Sequence, residues 1–297
     1  MANKTNKNGR LGVHKTYKLF IGGKFPRTES GRSLTVEDHK GGFVANICRA
    51  SRKDFRDSVV AAREALDGWN GRTAFNRGQI LYRMAEMLET RRHAFEHALV
   101  EVAGYDDEEA AAEVDASIDR LVWYAGWSDK FPMVFGATNP VSSPHFNITQ
   151  PEPTGVVAIF SPKNAPLLGL VSAFAPVIVG GNTCILIVEN EAPTVAIELA
   201  EVLQNSDLPG GVINVLTGLR DELRGHVAGH KDVDGLLCFG PTKDEKREMA
   251  LEAAETVKRV EFADDPDAET WRSDDQQSPY RIMPFVEFKT SWHPVGV

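Results

Sequence analysis

Reactive side chains are sparse in this 297-residue chain. Its three cysteines, Cys48, Cys184 and Cys238, show no Cys-x-x-Cys spacing, which points to a reducing compartment rather than a disulfide framework. Cys184 and Cys238 each sit inside an apolar run, where a free thiol acts as a small buried hydrophobe and not as a nucleophile. His230 and Asp234 suggest acid–base work, yet a His-Lys-Asp-Val-Asp stretch before a strand is ordinary turn chemistry. No clustered Cys/His set points to a metal. Neither a Gly-x-Gly-x-x-Gly after a strand nor a Gly-x-x-x-x-Gly-Lys-Ser/Thr occurs, so both standard phosphate cradles are missing. Asp106, Asp107, Glu108, Glu109, Glu113, Asp115 and Asp119 crowd one stretch and read as a solvated helix face. That leaves Asn164, an amide just beyond the apolar run Val156–Phe160. By position it caps a helix beginning near Pro166; an amide at a strand's carboxyl end also suits stabilisation of a developing negative charge.

The elements that would position these residues divide at Pro151. Before it, Tyr17–Gly22, Ser33–Val36 and Phe43–Ile47 are β-like, with a Gly22-Gly23-Lys24 turn. Residues 1–16 read as a disordered leader. Ser51 and Asp54 form a capping-box pattern ahead of Phe55, Val59, Ala62, Leu66 and Trp69 at helical spacing. Further helices are expected over 73–92, 93–103 and from the acidic stretch to about Trp127. After Pro151, short apolar runs at Val156–Phe160, Cys184–Val188, Val212–Val215, Gly235–Phe239 and Arg259–Phe262 alternate with helical patterns. That alternation is the signature of an α/β fold, a doubly wound parallel sheet covered on both faces. Residues 263–284 are polar and aperiodic and read as a linker. A strand over 285–292 then stands alone and must join a sheet of this chain or of another.

The net charge of −9 argues against nucleic-acid binding. No apolar stretch is long enough to span a bilayer and the basic N-terminus lacks an apolar core, so neither a membrane segment nor a secretory signal is expected. The chain reads as soluble and cytoplasmic.

Several segments together resemble the aldehyde dehydrogenase superfamily. Glu152-Pro153-Thr154-Gly155-Val156-Val157, followed by Pro162-Lys163-Asn164-Ala165-Pro166, is similar to the family's Glu-Pro-x-Gly-Val-Val and Pro-Trp-Asn-x-Pro. In family order follow resemblances at 123–130, at Ala175-Pro176 with Gly180-Gly181-Asn182-Thr183, and at Leu208–Gly218. Tyr17–Lys24 resembles the family's opening strand, and Phe285–Thr290 its closing Tyr-Thr-Glu-Val-Lys-Thr. The resemblance covers 17–262 and 285–292. It implies a Rossmann-like cofactor domain at 17–130 and 150–262, with an N-terminal helical region. It also implies a small oligomerisation β-sheet from 131–149 plus 285–292. NAD(P) is the implied cofactor, with Ser161, Pro162, Lys163, Gly218, Gly240 and Thr242 as the implied binding positions. Asn164 is the implied oxyanion amide.

Departures from the family set the functional expectation. Ile187 falls where the family has the lysine that holds the adenosine ribose, and an alkyl chain donates no hydrogen bond. Pro241 has no N–H to offer a phosphate, and Glu245 places a carboxylate where the family has a glycine. Lys163 replaces a Trp and brings a positive charge. Ala263 stands at the position of the family's general base, and alanine cannot activate water; Asp264, one residue on, faces the other side of a strand. The 263–284 linker takes the place of the segment that would carry the nucleophilic cysteine. The expectation is a degenerate copy resembling the second half of two-domain aldehyde dehydrogenases. It would be a non-catalytic structural or regulatory subunit assembling with a full-length aldehyde dehydrogenase paralogue or as a homo-oligomer. The alternative is an NAD(P)-dependent oxidoreductase acting on an aldehyde with catalytic groups from a partner.

Overall fold

A computed structural model describes residues 14–295. Most of the expected leader, residues 1–13, lies outside the described residues. Its end is ordered, however: Lys15 pairs with Glu198 at 2.7 Å, and Thr16–Tyr17 (β1) runs parallel to Asn46–Ile47. Ser33–Glu37 (β2) and Phe43–Cys48 (β3) complete a three-stranded sheet. The rest of Tyr17–Gly22 is not a strand; Phe20 instead bridges to Val215, and Gly22 and Gly23 turn the chain at φ +61° and +75°.

Arg52–Asn70 (α1) opens with the expected capping box, Ser51 Oγ accepting from Asp54 N and Asp54 Oδ2 from Ser51 N at 2.7 Å. Ala74–Thr90 (α2), Arg92–Ala98 (α3) and Asp107–Trp127 (α4) follow, with one π-helical turn at Leu99–Ala103. Phe131–Phe135 forms a short helix (α5), so the strands expected from 131–149 begin later: Ala137–Asn139 (β4) and His145–Pro153 (β5) pair antiparallel.

The α/β expectation holds. Val156–Phe160 (β6), Leu168–Val179 (α6), Thr183–Val188 (β7), Pro193–Gln204 (α7) and Ile213–Thr217 (β8) alternate in order. Arg220–Ala228 (α8), Gly235–Phe239 (β9), Lys243–Ala254 (α9) and Arg259–Ala263 (β10) continue the pattern. All neighbours in this sheet are parallel, in the order β10-β9-β6-β7-β8. Strand side chains alternate between two cores, as the pleat requires. Val157, Ile159, Leu186 and Phe239 join the core under α2, α4, α6 and α7; Val156, Phe160, Ile185 and Leu236 join the core under α1, α8 and α9.

Residues 263–284 are not a structureless linker. Ala263 ends β10, Ala268–Arg272 forms a helix (α10) capped by Asp267, and 3₁₀ turns follow at 274–276, 279–281 and 283–285. Trp271, Ile282 and Phe285 are buried. Their spacing fits no single period, which hid the segment from pattern reading. Val286–Pro294 (β11) then pairs antiparallel with β5, from Val286↔Pro153 to Pro294↔His145, so the lone strand finds its partner within this chain.

Candidate functional site

In a doubly wound sheet, ligands sit at the carboxyl ends of the strands where the winding reverses. Here the chain steps from β6 outward through β7 and β8, then returns to β9 and β10 on the other side of β6. The reversal therefore falls between β6 and β9. The residues after these strands are Ser161–Asn164 and Gly240–Thr242, and Gly218 follows β8. All the candidate positions lie along one end of the sheet. Lys163 and Thr242 line one cavity of about 440 Å³ together with Glu189, Arg220, Arg224 and Glu245. Gly218 borders a separate cavity of about 250 Å³ beside Val188 and Asn190.

The local hydrogen bonds show what these residues do in the chain. Ser161 is buried; its carbonyl accepts from Arg220 Nη2 at 3.1 Å and its N–H donates to Ile187 O at 3.0 Å. Pro162 lies against Gly169, where an added Cβ would stand 3.0 Å from the Pro162 Cβ. The N–H of Lys163 donates to Asp265 Oδ2 at 2.7 Å, and that of Asn164 to the same oxygen at 3.3 Å. The Asn164 side-chain amide donates to Asp265 O at 3.2 Å and Pro266 O at 3.0 Å. Asn164 is thus no helix cap: α6 begins at Leu168 without any side-chain cap. Gly240 adopts φ +56° and donates to Ala263 O; a Cβ there would stand 3.1 Å from the Asp265 Cβ. Thr242 caps α9 in a reciprocal box with Glu245.

Four residues that organise this end of the sheet were not singled out from the sequence. Asp265 stands where only Asp264 was weighed; besides the two N–H groups it accepts from Trp271 Nε1 at 3.1 Å, while Asp264 is exposed. Arg220, the second residue beyond Gly218, is only 4% exposed and lies over the Phe160 ring at 5.6 Å. Its backbone N–H donates to Glu189 Oε2 at 3.2 Å. Arg224 spans Glu245 at 3.0 Å and Glu248 at 2.7 Å. Burial acts to raise the Glu245 carboxyl, but the Thr242 N–H and then Arg220 and Arg224 hold it below the usual range. Glu113 corrects the reading of the acidic run as a solvated face. It is fully buried and its Oε1 accepts from Leu167 N and Leu168 N at 2.7 and 3.2 Å, fixing the start of α6. Burial leaves its carboxyl raised despite those donors. A basic residue opening the helix after β8, and a Glu at the apolar register of its helix beside Ala110 and Val114, were the available signals.

All three cysteines are buried. Burial pushes the Cys238 thiol up to about 11 and the Cys184 thiol higher still, so both stay protonated at neutral pH. Two His-x-x-x-His spacings, His93/His97 and His226/His230, escaped the sequence reading. Neither gains further ligands: no group of three or more His, Cys, Asp or Glu that could hold a metal occurs among the described residues. No helix among the described residues is long and apolar enough to cross a membrane.

A parallel sheet with a reversal point, helices on both faces and loops converging at one end defines the class of Rossmann-like α/β domains. The family is fixed by comparison. The sequence profile of the aldehyde dehydrogenase family matches residues 26–263, and the chain belongs to that family. It is 31% identical over 261 residues to the cytosolic 10-formyltetrahydrofolate dehydrogenase of Mus musculus, covering 84% of this chain and 28% of that protein. It is 30% identical over 249 residues to the mitochondrial benzaldehyde dehydrogenase of Antirrhinum majus, covering 82% of this chain and 46% of that protein. An NAD+ complex of an aldehyde dehydrogenase from Bacillus cereus superposes with a TM-score of 0.79 at 26% identity, over 84% of this chain and 51% of that one. The chain therefore spans about half the length of these relatives, or less.

Proposed function

We propose that this chain is a non-catalytic structural or regulatory subunit of an aldehyde dehydrogenase assembly. It docks through β4, β5 and β11 onto a full-length aldehyde dehydrogenase paralogue or onto a second copy of itself. The observation that carries this reading is the placement of Asn164. The amide that the family resemblance assigns to an oxyanion is turned onto Asp265 O and Pro266 O, within the segment that follows β10. That segment occupies the place of the family's catalytic domain. Ala263 supplies no base, and the three thiols are buried, with Cys184 and Cys238 held protonated, so they supply no nucleophile.

The crevice does not fit a dinucleotide. Ile187 is a core residue, 1% exposed, with no donor for a ribose. Arg220 fills the ground between Phe160 and Ser161, its Nε buried without a partner, and the Glu245 carboxylate stands at the start of α9, where a pyrophosphate would be repelled. A reducing cytoplasm suits three buried free thiols. The rival reading is an NAD(P)-dependent oxidoreductase acting on an aldehyde with groups borrowed from a partner. It draws on the NAD+ bound in the Bacillus cereus relative.

Calorimetry and co-purification separate the two. The subunit reading expects no binding heat with NAD+ or NADP+ at about 1 mM, together with a stable complex with a full-length paralogue or a homo-oligomer by light scattering. Saturable cofactor binding would establish the rival reading. A monomer that captures no aldehyde dehydrogenase would remove the subunit reading.

A further inference from the structure

A cavity of about 730 Å³ lies away from the crevice. It opens between the first turns of α1 and the far, carboxyl-terminal ends of α8 and α9. Its walls carry Arg52, Lys53, Arg56, His226, His230 and Lys231. Only two carboxylates share it, Glu29 and Glu252. In a chain of net charge −9 this is a local excess of positive charge. Lys53 is held at 3.6 Å by Glu29, and Arg56 at 3.1 Å by Asp57. Arg52 and Lys231 make no ion pair among the described residues, and both are exposed to the cavity's solvent.

We propose that this cleft binds a small hydrophilic phosphate ester, its dianion neutralised by Arg52 and Lys231. Two uncompensated cations match a doubly charged group better than a single carboxylate. The volume exceeds that of inorganic phosphate, which leaves room for an organic part. That part is polar, because the lining offers no stacking platform. Its one phenylalanine, Phe55, is buried and already met edge-on by His230 at 5.6 Å. The loop bearing Lys231 is held in place from below: Lys258 Nζ donates to His230 O at 2.7 Å and Val233 O at 3.2 Å. His230 feels charges of both signs: burial lowers its proton affinity most, Asp232 acts to raise it, and Lys258 and Arg52 lower it further. A metal is excluded as the occupant by those same cations, although His226 and His230 stand four residues apart.

The test uses the full chain with glycerol 3-phosphate as the probe, by calorimetry and by the NMR signal of His230. The expected result is saturable binding below about 1 mM, weakening with salt, with a shift of the His230 resonance. The double variant Arg52→Gln/Lys231→Gln changes two exposed side chains and is expected to bind at least about tenfold more weakly. Arg83→Gln, on a different helix, is expected to bind as the native chain does. Circular dichroism verifies that each variant is folded. The proposal is overturned by no saturable signal up to about 10 mM, by equal affinity in the double variant, or by sulfate binding as tightly as the ester. Retention on anionic phospholipid vesicles without binding of the free ester would also overturn it, assigning the cleft to a lipid headgroup. The proposal is independent of the subunit reading, and either can fail alone.

Discussion

Asp265 gathers the donors at the centre of the sheet's carboxyl end. One carboxylate accepts two backbone N–H groups and an indole N–H, so the loop after β6 is held by a residue about a hundred positions further along the chain. That separation is why the arrangement could not be read from sequence: Asn164 was visible as an amide after an apolar run, but its acceptors were not. The buried character of Cys184 and Cys238 was legible, because an apolar run forces it. Lys258 was not, since a lysine at a strand's approach reads as a surface residue. The residue is 9% exposed, and burial lowers its ammonium from 10.5 to about 8. Between those two values the unfolded chain holds more protons than the folded one. Lys258 therefore costs stability below pH 8, and that cost is relieved as pH rises from 8 toward 10.5. Urea midpoints at about pH 7.5 and about pH 9.5 check this. Relative to Lys258→Met, the native chain is expected to gain stability between them; parallel behaviour of the two would refute it.

At the scale of elements, the helix with its capping box at Ser51 and the five short apolar runs were legible because each signal is local. The segment after β10 was not. Its order comes from tertiary partners: Arg120 Nη2 donates to Trp271 O at 3.1 Å, Tyr124 Oη to Ser278 O at 3.2 Å, and Trp271 lies 5.8 Å from Phe239 ring to ring. Arg281 stands over the Trp271 ring at 5.7 Å. Trp271 is the anchor. Trp271→Ala is expected to lower stability by about 3–5 kcal/mol and to open the segment to trypsin at Arg272 and Arg281. In the native chain those bonds are expected to resist cleavage under conditions where a free linker is cut within minutes. Prompt native cleavage there would show that the segment does not hold the sheet's end.

For the whole molecule, two cores flank one parallel sheet while the β4-β5-β11 sheet stands beside them. The parallel sheet was implied by the alternation of elements, and the joining of the last strand to the sheet of 131–149 by the family resemblance; periodicity alone left its partner open, because a lone strand carries no address. On β11, Phe288 and Trp292 are four apart and share a face, 44% and 57% exposed. Under the subunit reading that face is covered in the assembly. Phe288→Glu/Trp292→Glu is expected to leave the circular dichroism spectrum unchanged while shifting the light-scattering mass to that of a monomer. An unchanged mass would move the assembly surface elsewhere.

The bonds from Asp265 and Arg220 to the β6 loop have one more consequence, for the chain's life in a cell. Proteins whose loops are ordered by a diffusible ligand grow more stable as that ligand accumulates. Here the ordering partner is part of the same polypeptide and is present at a constant, high effective concentration. Under the subunit reading, the folded fraction, and with it the abundance that survives proteolysis, is expected to stay level when nucleotide pools rise or fall.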